Sequence, residues 1–149
     1  MQLGIFFHRS LIVVSNTAYS EKATKTKQLI DIIDALLLYE SKNKGIVLYI
    51  KEAEMVKLYL HFIHFSSEHD IQCDFNMNSH SLESIRHGDL LYRVIEILDV
   101  EQMKKRVNHI IIRIIEINYS FVLSILIDGE EATKADEVIP FVDRGSINV

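Results

Sequence analysis

The sequence predicts a mainly α-helical α+β domain with short β elements. Three observations predict this class. The 149 residues include only one proline and five glycines. Proline and glycine normally mark the turns of β-rich chains, so their scarcity favours helices. Apolar residues recur at three- and four-residue steps in several segments, which is the period of an amphipathic helix. Hydrophobic residues make up 48% of the chain and charged residues 25%, which is typical of a globular domain with its own core.

The simplest organisation is one domain over residues 1–149, because no low-complexity linker or internal repeat divides the chain. A division into an N-terminal helical lobe (1–78) and a C-terminal lobe (79–149) stays open as an alternative. The single cysteine, Cys73, cannot form an internal disulfide, which fits either a reducing compartment or a protein indifferent to redox state. No stretch approaches the ~18 uninterrupted apolar residues of a membrane span. We therefore expect a cytoplasmic protein without membrane contact.

The first half of the chain contains two predicted helices. Residues 3–14 are rich in β-branched and aromatic types and fit either a strand or a short buried helix. Residues 24–40 predict a helix because one face collects its aliphatic side chains, namely Leu29, Ile32, Ile33, Leu36 and Leu37. A short strand is predicted at 46–50. A second helix follows at 51–65, and its apolar stripe consists of Met55, Leu58, Tyr59, Phe62 and Ile63.

The second half of the chain predicts a short strand at 71–77 and then a helix at 82–98, which Gly88 can break into two pieces. "DVEQ" at 99–102 has the form of a capping box, with Asp99 as the N-cap. From there the isoleucines step by three and four residues. We therefore predict a helix over about 100–118, although isoleucine favours strands by propensity.

This isoleucine helix carries a specific prediction about burial. Its apolar side is formed by Val107, Ile111, Ile114 and Ile115. Ile111 and Ile114 are predicted to be buried, whereas Lys105 and Arg113 are predicted to face solvent or a partner. After the helix, "SFVLSILID" and "EVIPFVD" predict a β-hairpin, in which Pro140 restricts the second strand to a sheet edge. The C-terminal part is thus predicted to be a winged-helix-like unit of helix, turn, helix and hairpin.

Two segments together carry a resemblance to a known family. They are "LIDIIDALLLYESKNKGIVLYIKEAEMVKLYLHFI" and "DLLYRVIEILDVEQMKKRVNHIIIRIIEINYSFVLSILIDGEE". The chain resembles the small middle components of bacterial ABC-type three-component defence systems such as Lamassu. In those systems a winged-helix-like subunit accompanies an SMC-like ATPase and an effector. The resemblance implies an accessory subunit in antiviral defence, and it carries over no functional residues because it is one of element pattern.

An alternative function is that of a winged-helix DNA-binding regulator. Its contact residues would be the basic residues along the predicted isoleucine helix, namely Lys104, Lys105, Arg106, His109 and Arg113. The competing interpretation is that these residues form a helix face that only contacts water. Asp128, Glu130 and Glu131 in the wing loop, together with a net charge of −5, oppose binding to a phosphate backbone.

A second alternative is a small metal-binding protein or enzyme. His61 and His64 lie one helical turn apart and His69 follows, but the spacing is not that of the HExxH zinc motif. Asp31 and Asp34 share a helix face, as solvated carboxylates often do. The chain contains no GxSxG, P-loop or GxGxxG motif. We therefore predict no enzyme activity, no metal ligands and no cofactor.

The leading functional prediction is a non-enzymatic accessory subunit that binds protein partners in a larger complex. It depends on the acidic net charge and on a surplus of large aliphatic residues, several of which we expect on a surface that a partner covers.

Overall fold

A computed structural model describes residues 6, 9, 10, 12, 13, 23–77, 81–133 and 137–142. The described residues before position 23 are helical. Three further helices are α1 (Ala23–Lys42), α2 (Tyr49–Ser66) and α3 (Leu91–Lys104). The strands are β1 (Ile46–Leu48), β2 (Gln72–Met77), β3 (Ser84–Arg86), β4 (His109–Ile117), β5 (Ser120–Ile127), β6 (Glu130–Glu131) and β7 (Val138–Pro140).

The strands form a large mixed sheet and a small antiparallel ladder. In the large sheet the order is β2-β4-β5, with β6 and β7 both pairing with β5. Strand β2 is parallel to β4, and every other pair described in this sheet is antiparallel. Strand β1 pairs with β3 in the two-stranded ladder. The parallel β2-β4 pair needs a long crossover, and the segment that contains β3 and α3 supplies it.

The hydrophobic core joins the helices to one face of the large sheet. Tyr49 at the start of α2 stacks on Phe121 of β5 with 3.8 Å between the ring centroids. Phe6 contacts the rings of Tyr59 and Phe62 edge-on, which attaches the N-terminal helical residues to α2. Among the described residues, no helix is long and apolar enough to cross a membrane.

The first two predicted helices are confirmed within two residues at each end. In α1 the predicted face is inward, because Leu29, Ile32, Ile33 and Leu36 are buried. Strand β1 and helix α2 follow in the predicted order, and β2 occupies the predicted segment at 71–77. Strand β5 is present and pairs antiparallel with β7 as predicted. The hairpin prediction is otherwise wrong, because Glu130 and Glu131 of the predicted loop form β6 and β5 also forms a hairpin with β4. Pro140 lies on β7, which is at the edge of the sheet, as its missing amide proton requires.

The predicted mainly α class with a winged-helix C-terminus is wrong. The segment predicted as a helix over 100–118 contains the end of α3 and then the nine-residue strand β4. Asp99 does not cap a helix but lies inside α3, where it forms an ion pair with Arg9. Strand β4 lies between β2 and β5 and pairs with both of them. The helical spacing of the apolar residues is outweighed by the parallel pairing with the distant β2, by the hairpin that β4 and β5 form through the turn at Asn118 and Tyr119, and by the β-branched side chains.

The predicted helical stripe divides between the two faces of β4. Ile114 is buried as predicted, but Ile111 is only half-buried and Ile115 is 41% exposed. Lys105 and Arg113 are exposed as predicted. Residues three apart share a face on a helix but lie on opposite faces of a strand. The side-chain repeat of a strand, rather than that of a helix, therefore decides which isoleucines are buried in the core.

The predicted helix at 82–98 does break at Gly88, but its first piece is a strand. Strand β3 precedes a turn in which Gly88 has φ +89°, and α3 begins at Leu91. An ideal Cβ on Gly88 would lie 2.6 Å from Cδ2 of Tyr92, so this position requires glycine for space as well as for its backbone angle.

Candidate functional site

One face of the large sheet is not covered by the described helices. Along β4, Ile110, Ile112 and Ile114 point into the core, and along β5 the odd-numbered residues from 121 to 127 do the same. The alternate residues point the other way, because successive strand side chains lie on opposite faces. We call the surface that they form the outer face; its members on β4 to β7 are His109, Ile111, Arg113, Ile115, Ile117, Ser120, Val122, Ser124, Leu126, Glu131, Val138 and Pro140. Beyond β4, this face continues on β2 with Gln72, Asp74 and Asn76.

The outer face is unusually apolar for a surface that contacts water. Ile115 is 41% exposed, Ile117 46% and Val138 40%, and Tyr119 at the adjoining turn is 86% exposed. Ile115 is opposite Val122 in the register, and Val122 is opposite Val138, so these side chains form a continuous row across three strands. A contiguous apolar patch on a sheet indicates a binding surface.

Arg113 and Glu131 have opposite charges and lie on this face on either side of β5. Arg113 on β4 is exposed and is opposite Ser124, while Glu131 on β6 is opposite Leu126. Oε1 of Glu131 accepts from the Ser124 hydroxyl over 2.9 Å and also from Thr133. The far end of the face is polar, because His109 Nε2 lies 2.6 Å from Asp74 Oδ2.

The five basic residues predicted for nucleic-acid binding do not share a helix face. Lys104 is the last residue of α3, and Lys105 and Arg106 follow it as exposed residues. All three line an open groove of about 430 Å³, and Lys104 lies 3.6 Å from Glu101. His109 and Arg113 belong to the outward side of β4 instead. The recognition-helix geometry is therefore wrong, and nucleic-acid binding by these residues stays a prediction.

The three predicted histidine candidates do not converge. Nδ1 of His64 is 2.8 Å from the carbonyl oxygen of Ile71, and Nε2 of His69 is 2.7 Å from that of Val107. His61 is exposed and lines an open groove of about 470 Å³ with His64. Within the described ranges, no group of three or more histidine, cysteine or acidic side chains could hold a metal ion.

Cys73 is partly buried on β2 and points toward the helical side of the sheet, in register with buried Ile110. Burial is the main cause that raises the pKa of its thiol to about 11, and the neighbouring Asp74 and Asp70 carboxylates contribute to this rise. A thiol of this kind is a poor nucleophile at neutral pH.

A buried carboxylate that sequence reasoning missed organises the centre of the molecule. Glu52 on α2 is fully buried, and its Oε1 accepts from the amides of Leu90 (2.8 Å) and Leu91 (2.9 Å). Its Oε2 accepts from the amide of Gly88 (3.0 Å) and from the Tyr39 hydroxyl (2.6 Å). The carboxylate thus satisfies free amides at the start of α3, which is a structural role.

The same network keeps Tyr39 protonated. Burial raises the pKa of the Tyr39 hydroxyl, and its hydrogen bond to Glu52 acts in the same direction. The phenol therefore remains a donor to Glu52 throughout the physiological pH range.

The outer-face residues were missed by sequence reasoning, although a signal for them exists. "SFVLSILI" contains apolar residues at both odd and even positions, and "HIIIRIIEI" places Arg113 inside an aliphatic run. A strand with apolar residues on both sides is typical either of a doubly covered sheet or of a sheet with a binding face. No protein-family model matches the chain, and no curated protein sequence matches it.

Proposed function

We propose that this chain is a protein-binding accessory subunit that uses the outer face of its five-stranded sheet. The observation that carries the proposal is the aliphatic row from Ile115 through half-buried Val122 to Val138, whose two ends are exposed. Leaving such a row in water is unfavourable by ~25 cal/mol per Å² of apolar surface, and a partner that covers it recovers this free energy.

The charges of the outer face limit the chemistry of the partner. The partner presents a flat aliphatic surface to Ile115 and Val122, and a carboxylate to the exposed guanidinium of Arg113. The cytoplasm is the proposed setting, which is supported by the single thiol Cys73. Partnership with an SMC-like ATPase stays a prediction from the resemblance described above.

Site-specific photo-crosslinking tests the proposal. A photoreactive phenylalanine analogue at position 115 is expected to give a covalent adduct with a protein in the cell that makes the chain. The matched control carries the analogue at position 30, because Ile30 on α1 is 42% exposed, close to the 41% of Ile115.

The adduct is expected to disappear when Val138→Lys is added, since Val138 belongs to the same row. Equal adducts from positions 115 and 30, or no adduct from position 115, would contradict a binding role for the outer face. Circular dichroism of each variant confirms that it is folded.

A further inference from the structure

We infer that the partner on the outer face is a second copy of this chain, related to the first by a twofold axis that runs along β5 between two stacked sheets. This inference rests on the proposed function, because it names the occupant of the same surface. Two sheets that stack face to face lie ~10 Å apart with their strands nearly aligned. In such a dimer each β5 lies over the β5 of the other copy.

The apolar residues of the outer face suit this symmetry. Strand β5 lies between β4 on one side and β7 on the other, so the twofold axis exchanges those two sides. Ile115 of one copy is thereby placed over Val138 of the second copy, since both are in register with Val122. Val122 itself lies beside the axis and meets its own equivalent. The aliphatic row is therefore complementary to itself.

The charged residues of the outer face are also complementary under the same twofold rotation. Arg113 and Glu131 lie two strands apart, which is ~10 Å at the usual strand spacing. Among the described residues no carboxylate pairs with Arg113, and the Glu131 hydrogen bonds use Oε1, which leaves Oε2 for an incoming cation. Arg113 is level with Ser124 along β5, and the Glu131 carboxylate reaches the same level because its Oε1 accepts from the Ser124 hydroxyl. The twofold rotation exchanges the β4 and β6 sides, so each guanidinium faces the carboxylate of the other copy and the dimer contains two such pairs.

The overlap of the two faces fits a weak, reversible dimer. The nine residues of β4 span ~30 Å, and the three strand positions that the axis superimposes span ~14 Å, because β2 has no counterpart on the other side of β5. The footprint from these strand dimensions is about 420 Å² on each copy, or about 840 Å² in total. This value lies in the range of weak, transient protein–protein interfaces, so we expect a dimer whose population depends strongly on concentration.

Charge reversal tests the inference. Sedimentation velocity of the whole chain over a concentration series is expected to show a monomer–dimer equilibrium. Arg113→Glu and Glu131→Lys should each weaken dimerisation by about 100-fold or more, because each creates two like-charge contacts. The double variant Arg113→Glu/Glu131→Lys should recover most of the wild-type affinity, since the pairs are restored with reversed polarity.

Ile115→Lys should also abolish the dimer, whereas Ile30→Lys is the matched control and should leave it unchanged. A dimer that both single charge variants leave intact, or a double variant no better than the single ones, would overturn the inference. A chain that is monomeric at every concentration overturns it as well. If that monomer still crosslinks from position 115 to a different protein, the proposed function stands, and if it gives no adduct, both fail.

Discussion

At the scale of single residues, the buried polar side chains of this protein form hydrogen bonds with backbone groups. Glu52 receives three amides and one phenol, so both of its oxygens are hydrogen-bonded twice. A buried carboxylate is tolerated when hydrogen bonds of this kind replace its hydration. Its position on α2 connects that helix to α1 through Tyr39 and to the start of α3.

Replacing Glu52 by Gln should lower the free energy of unfolding by about 2–4 kcal/mol. The amide has one acceptor oxygen, and its NH₂ group would face amide donors, so at least one buried N–H loses its partner. The matched control is Glu54→Gln on the same helix, which is exposed and should change stability by less than about 0.5 kcal/mol. Urea denaturation measures both, and equal effects would contradict the central role of Glu52.

Gly88→Ala should destabilise the protein by about 2–4 kcal/mol, whereas Gly45→Ala should cost about 1 kcal/mol. Both glycines have positive φ, +89° and +77°, so both substitutions carry the left-handed backbone strain. A Cβ at position 88 would also lie 2.6 Å from the Tyr92 ring, while nothing lies within 4 Å at position 45. Thermal melts compare the two, and a similar loss in both would mean that the Tyr92 ring moves aside freely.

Alkylation of Cys73 in the folded protein should be slow at pH 7–8. With its pKa raised to about 11, the thiol forms about two orders of magnitude less thiolate than an ordinary cysteine. The rate with iodoacetamide, followed by mass spectrometry, should rise steadily as the pH approaches 11. The chain unfolded in urea is the control, and a native rate equal to the unfolded one would contradict the burial of this thiol.

At the scale of elements, β4 determines the architecture. Its residues 109–114 pair with β2 on one side and its residues 110–117 pair with β5 on the other, so it is an interior strand of the sheet over most of its length. One of its faces completes the core, and the other forms the centre of the outer face. The isoleucines on one face of β4 thus stabilise the fold, and those on the other face form part of the surface proposed for recognition.

The alternation along β4 predicts different costs for neighbouring isoleucines. Ile114→Ala should lower the free energy of unfolding by about 2–5 kcal/mol, because Ile114 is 1% exposed. Ile115→Ala should lower it by less than about 1 kcal/mol, since its side chain is on the outer face. Both substitutions replace isoleucine by alanine in the same strand and lose the same β propensity. The difference between the two changes in the free energy of unfolding therefore measures the effect of burial. Denaturant melts at one dilute concentration decide it, and similar costs would contradict the alternation of the two faces.

At the scale of the whole molecule, contacts between distant parts of the sequence close the core. Tyr49 makes two of them, because its ring stacks on Phe121 and its amide donates to the carbonyl of Glu83 over 2.9 Å. The amide of Val142 likewise donates to the carbonyl of Ser84 over 2.8 Å. Buried side chains from both halves of the sequence therefore belong to one cluster.

We expect residues 1–149 to unfold in one cooperative step. Near-UV circular dichroism reports on the packing of tyrosines such as Tyr49, and far-UV circular dichroism reports on the backbone. The two denaturation curves should coincide, because the contacts between the halves unfold together. Two separated transitions would instead favour the alternative of two lobes divided at residue 78.

Local sequence information was sufficient for α1 and α2, because their apolar residues follow a single helical period and face a single core. It was insufficient for β4, where apolar residues on both faces fit a helical spacing equally well. The outer face was missed for the same reason. Ile115 and Val138 are far apart in the printed sequence, and only the strand register brings them to one surface.

The sequence by itself determined the helices of the first half, the break at Gly88, the strand at 120–127 and the edge position of Pro140. These features depend on residue type and on neighbours within a few positions, through periodicity, glycine freedom and the missing proline amide. The tertiary structure alone decided that residues 109–117 are a strand and that Glu52 reaches the start of α3. Strand β4 depends on its pairing with the distant β2 as well as on its local hairpin with β5, and the contacts of Glu52 join residues that are far apart in the chain. The energy of these bonds exceeds the helical preference that the local spacing of apolar residues displays.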